Sequence, residues 1–75
     1  MQYRKKPVIV EAEQWFPGKS IEGVQESPRI QRHYVTTIHG QMTLIEPGDW
    51  IITEPDGAHH YPCKPDIFDA TYEPF

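Results

Sequence analysis

The sequence predicts a small α+β fold that is mostly β: an antiparallel sheet of four to five strands in meander order, capped by one short C-terminal helix. Three observations carry this. Short runs rich in β-branched and aromatic residues recur at 7–15, 34–38, 42–45 and 50–53. Turn chemistry separates the later runs, with His39-Gly40, Pro47-Gly48 and Glu54-Pro55-Asp56-Gly57 between them. A helix-start pattern, Lys64-Pro65-Asp66, comes only near the end of the chain.

The first strand is read over P-V-I-V-E-A-E-Q-W, residues 7–15. Strand parity puts Val8, Val10 and Ala12 on one face, and Ile9, Glu11, Glu13 and Trp15 on the other. Either a bulge re-aims the Trp15 indole or the strand is covered on both sides. Phe16-Pro17-Gly18 ends it. Residues 19–32 read as a mobile loop, because Gly23 and Pro28 interrupt the helical turn that Ile21, Val24 and Ile30 would permit.

Tyr34-Val35-Thr36-Thr37-Ile38 and Met42-Thr43-Leu44-Ile45 form a hairpin across Gly40, which supplies positive φ. Pro47-Gly48 occupies the centre of a type II turn into the strand Trp50-Ile51-Ile52-Thr53. A type I turn at Glu54-Pro55-Asp56-Gly57 leads to a fourth strand over 58–63, with Pro62 placing it at an edge or marking its end. Pro65 opens the helix, Asp66 sits at its positive end, Pro74 closes it, and Ile67, Phe68, Thr71 and Tyr72 share a stripe.

Length and composition narrow the class. A chain of 75 residues forms one domain with a modest core, so burial of a face against a second copy is an option. A single cysteine, Cys63, excludes an internal disulfide and fits a reducing compartment. No apolar run approaches a bilayer span, and no signal-peptide core follows Arg4-Lys5-Lys6. A cytoplasmic protein without membrane contact is expected.

The net charge of −4 is polarised. Up to Arg32 six basic residues face four acidic ones, whereas from Glu46 onward seven acidic residues face Lys64 alone. That pattern disfavours nucleic acid, which demands a concentrated basic surface. It suits a partner with basic groups, attraction between copies, or simply a solvated acidic face.

Four blocks carry a resemblance: Y-R-K-K-P-V-I-V-E-A-E-Q-W at 3–15, T-I-H-G-Q-M at 37–42, P-G-D-W-I-I-T at 47–53, and Y-P-C-K-P-D-I-F-D-A-T-Y-E-P at 61–74. Together they resemble a widespread family of small proteins encoded by tailed bacteriophages and prophages. The last block is the most specific, and residues 19–32 match no part of the pattern. The resemblance implies a phage or prophage protein in the cytoplasm of a bacterial host. It brings neither an activity nor catalytic residues.

The residues that could carry chemistry are few. His59, His60 and Cys63 form H-H-x-x-C, with ligand types that zinc accepts. On a strand His59 and Cys63 share a face and His60 opposes them, so His33 or His39 would have to complete a site; half-buried histidines on an edge strand are the plainer reading. Cys63 lacks a base and an orienting group in sequence reach for nucleophilic work. Asp49, Asp56 and Asp66 sit where turns and a helix start use carboxylates locally. Among the aromatics, Trp50, Phe68 and Tyr72 read as core, while Trp15 and Phe16 at a strand end read as an exposed contact. A stacking platform that draws on Tyr34, Tyr61 and Phe75 as well is the other reading.

The function expected on these grounds is a non-enzymatic protein-interaction module binding a host or phage protein, with no cofactor. The alternative is a binder of a nucleotide-like anion, held between two copies of a homodimer. Trp15, Phe16, Lys5, Lys6, Arg29 and Arg32 are the candidate contacts.

Overall fold

A computed structural model describes residues 1–2 and 9–73. It has six strands and one helix: β1 (Ala12–Gln14), β2 (Gln25–Ser27), β3 (Arg32–Thr36), β4 (Met42–Leu44), β5 (Trp50–Thr53), β6 (His60–Cys63) and α1 (Pro65–Thr71). The α+β, mostly β class holds, but the single meander does not. The strands form two three-stranded antiparallel sheets, ordered β1-β5-β6 and β2-β3-β4. The start of the strand read at 7–15 falls partly outside the described residues, as do Lys5, Lys6 and Phe75.

The expected meander breaks at residues 46–49, and the hydrogen bonds show why. The β3–β4 ladder extends one step beyond β4, where the Ile45 amide donates to the His33 carbonyl at 3.0 Å. The Asp49 amide then donates to the Glu46 carbonyl at 3.0 Å, and the Asp49 carboxylate accepts the Glu46 amide at 2.9 Å. Gly48, at φ 92, turns the chain so that its amide reaches the Trp15 carbonyl at 2.7 Å. The Trp15 amide answers to the Asp49 carbonyl at 2.8 Å. The Pro-Gly turn therefore delivers the chain to a different sheet, beside β1. Lys64 locks the turn, its Nζ lying 3.1 Å from Asp49 and 3.2 Å from Glu46, and the two carboxylates hold its ammonium above the usual lysine range.

β5 is the central strand of its sheet, and its alternation divides the molecule. Ile51 points inward with Val35, Ile45, Ile21 and Trp15 to form the main core, against which Val24 packs. Ile52 is buried on the opposite face, the side of Trp50, whose indole stacks on Phe68 at 4.1 Å and 6°. Phe68 stacks in turn on Tyr72 at 4.9 Å. α1 covers that second face, with Ile67 left exposed.

One aromatic assignment is overturned and another holds in part. Trp15, expected as an exposed contact, is 4% exposed and sits in the core, because it shares the parity of Glu13, which pairs with inward-facing Ile51. Trp50, expected in the core, is half-buried under the helix. Of the alternatives open for Trp15, coverage of both faces of the strand is the one observed.

Residues 19–32 contribute to the fold. Ile21 joins the core, and Gln25–Ser27 pairs antiparallel with β3. A Gln-Glu-Ser strand has low intrinsic β preference, so its partner strand rather than its composition specifies it.

Candidate functional site

The second sheet shows one face to the core and one to solvent. Val35 points inward, so the residues of alternate parity, Tyr34 and Thr36, point outward with their register partners Leu44 and Met42. Met42 is 68% exposed and Leu44 47% exposed. β4 is also an edge strand, with no strand on its outer side among the described residues. Apolar side chains beside an open ladder edge provide both the burial and the hydrogen-bonding groups that a docking chain uses.

A cavity of about 300 Å³ lies where the two sheets meet, and Trp15, Arg32 and His33 line it with Pro17, Pro47 and Gln31. Two of the six sequence candidates, Trp15 and Arg32, thus come together. The Trp15 and His33 rings lie 4.8 Å apart at 47°, and His33 Nε2 is 3.3 Å from the Glu26 carboxylate. Gln31 enters β3 at φ 54, a left-handed conformation uncommon for a side chain of its kind. Phe16 is exposed at the next position after Trp15, and Arg29 is exposed in the turn before Gln31 without lining the cavity. Sequence reasoning missed Gln31 because nothing in the residue type announces positive φ. It found His33 only as a remote metal ligand.

The cavity stands at the lower end of the range for small-molecule sites, roughly 300 to 1,000 Å³. It accommodates one side chain or one small planar group more readily than a whole nucleotide.

The H-H-x-x-C residues separate. The His59 ring pairs with the Asp56 carboxylate in the turn before β6. His60 and Cys63, three positions apart on β6, point to opposite faces: His60 toward the core and Cys63 toward α1. Among the described residues no group of three or more such donors converges on a metal position. Burial, with the Asp49 and Asp66 carboxylates nearby, pushes the Cys63 thiol pKa up, which disfavours the nucleophilic thiolate. Asp56 serves its own turn, accepting the Ala58 and His59 amides at 2.9 and 3.0 Å.

No described helix is long and apolar enough to cross a membrane. The chain matches no family model, no curated protein and no solved structure.

Proposed function

We propose that the chain is a non-enzymatic accessory protein of a tailed phage or prophage, acting in the bacterial cytoplasm as a small module that binds a host or phage protein. The observation that carries the interaction reading is the outer face of β4, where Met42 and Leu44 remain exposed beside Tyr34 at an open strand edge. A chain this small has little apolar area to spare from its core. Two large apolar residues adjacent on one solvent face are therefore a contact surface held in reserve.

The test is capture from lysates of several bacterial strains, using the parent chain and a Met42→Lys/Leu44→Lys variant. Both positions face solvent, so the variant keeps the parent's circular dichroism, and the lysines block edge pairing and face burial together. A protein recovered by the parent and lost with the variant is the expected result. Equal recovery by both, or none above background, refutes the reading.

The Trp15–Arg32–His33 cavity favours the second reading, a small anion bound by a guanidinium against an aromatic wall. A nucleotide and phosphate panel in the same preparations separates the two. An anion that raises the melting temperature of the parent but not of Arg32→Ala would support this second reading.

A further inference from the structure

On its inner face the first sheet carries a second cavity that none of the candidate residues predicted. Strand pairing places Glu13 opposite Ile51 and Thr53 opposite His60, while the Thr53 amide donates to the Glu11 carbonyl at 2.9 Å. Two successive rows on one face of the sheet thus bring together Glu11 and Glu13 from the β1 side, Ile51 and Thr53 from β5, and His60 from β6. The Ile21-Glu22-Gly23 turn closes over it and adds a third carboxylate. The cleft is open to solvent on one side and holds about 290 Å³.

His60 forms the inner wall. It is 5% exposed, and unlike His33 and His59 its ring pairs with no side chain or backbone group among the described residues. Every fully buried side-chain nitrogen or oxygen among the described residues has a partner, so the His60 nitrogens keep some access to solvent, and the residue lines the cavity. The ring has no protein hydrogen-bond partner among the described residues and depends on water, which a ligand atom in the cavity can replace.

The charge around the ring selects the ligand. Glu11 and Glu22 make no ion pair among the described residues, and Glu13 is 3.8 Å from Lys19, which offsets part of the negative charge. An anion would meet three carboxylates and is excluded. The donors do not converge as a metal ion requires, so the cation must be extended. Ile21 and Ile51 supply apolar walls for an alkyl stem. A planar guanidinium carries several donors that reach separated carboxylates at once.

We propose that this acidic cavity is a recognition pocket for a single arginine side chain of a partner protein. It adds a second contact point to the interaction reading and rests on that reading only for the source of the arginine.

The test is titration of the full-length, 15N-labelled chain with a capped pentapeptide holding one arginine between glycines, and with its citrulline counterpart. The arginine peptide is expected to shift the amides of Ile21, Gly23, Thr53 and His60 saturably, while the citrulline peptide leaves them in place. Glu22→Gln, an exposed substitution, should weaken binding about threefold, the worth of one solvent-exposed charge pair. No saturable shift of these amides by about 10 mM peptide, where even a millimolar site is mostly filled, overturns the proposal. Equal shifts with citrulline overturn the charge selection. Guanidinium ion binding as tightly as the peptide reassigns the pocket to a free small cation and overturns the partner-side-chain assignment. Peptide binding by Met42→Lys/Leu44→Lys reports on the pocket without the β4 face, and lysate capture by Glu22→Gln reports on the β4 face with the pocket weakened, so either idea can fail without the other.

Discussion

Gly23→Ala offers a sharp test of the packing behind the acidic pocket. Gly23 has φ +91, and a Cβ built there would lie 2.2 Å from His60 Nδ1, 2.4 Å from Cε1 and 2.8 Å from Cγ. Ordinary contacts between heavy atoms of these types are about 3.5 to 4.0 Å, so the overlap exceeds 1 Å and the ring must leave its place. Overpacking of this kind costs about 1 to 3 kcal/mol, and positive φ at an alanine adds about 1 to 2 kcal/mol. The total, about 2 to 5 kcal/mol, is a large share of the roughly 4 to 11 kcal/mol available to a domain of this length.

Gly18→Ala separates the two contributions, because Gly18 has nearly the same φ, +90, and no atom within 4 Å of its Cβ position. Both substitutions restrict the unfolded chain equally, so that effect cancels in the comparison. In urea, with a slope of about 1 kcal/mol per M for so small a chain, Gly23→Ala should unfold about 1 to 3 M earlier than Gly18→Ala. In a His60→Ala background the difference should shrink toward zero, since the obstructing ring is gone. Equal midpoints for the two single variants, or a difference that survives His60→Ala, would refute the placement of His60 on Gly23.

Two further outcomes follow from the same geometry. The Ala58 amide, the His59 ring and the His59 amide hold the Asp56 carboxyl at about 2, below its ordinary 3.8, so its stabilising contribution is complete above about pH 3.8 and lost as pH falls through about 2. Carbon-detected titration should give Asp56 a midpoint near 2, and a midpoint in the ordinary range contradicts the turn geometry. Trp50→Ala should cost about 2 to 3 kcal/mol, less than a fully enclosed indole, and should strip protection from the Phe68 and Tyr72 amides in hydrogen exchange. The 7-residue α1 is too short to persist undocked, so unchanged protection of those two amides would show that the stacking does not hold it.

What could be read from the residues alone tracks how locally each feature is specified. Trp50–Thr53 matches the sequence reading residue for residue, and the helix at Pro65–Thr71 lies within the segment read for it, because β-branched content, Pro at the first helical turn and Asp66 act within a few residues. The turn at Pro47-Gly48 was equally legible, but its consequence was not. Whether it returns β5 to β4 or passes it to β1 depends on the Trp15 and Asp49 backbone groups, which are 34 positions apart. The β2 strand and the core role of Ile21 were hidden for the same reason. Of the candidate contacts, Trp15 and Arg32 converge, Phe16 and Arg29 are exposed nearby in sequence, and Lys5 and Lys6 lie outside the described residues. The acidic pocket left no trace in the sequence, since Glu11, Glu13, Glu22 and His60 meet only through strand register and one covering turn.

Strand parity at β1 joins the core to the pocket. Glu11, Glu13 and Trp15 share a face, but the second sheet packs over Trp15 while the more distant carboxylates look into the pocket. The same inward face therefore changes from apolar to acidic along the strand direction, and His60 sits opposite Thr53, one inward position on from Ile51. Shifting β1 by one residue against β5 would exchange its two faces, moving Trp15 out of the core and both glutamates out of the pocket. Core packing penalises that slip, because the buried indole would become exposed. The interaction that stabilises the fold thus also fixes the backbone positions of Glu11 and Glu13, so a ligand binding there has only side chains left to order.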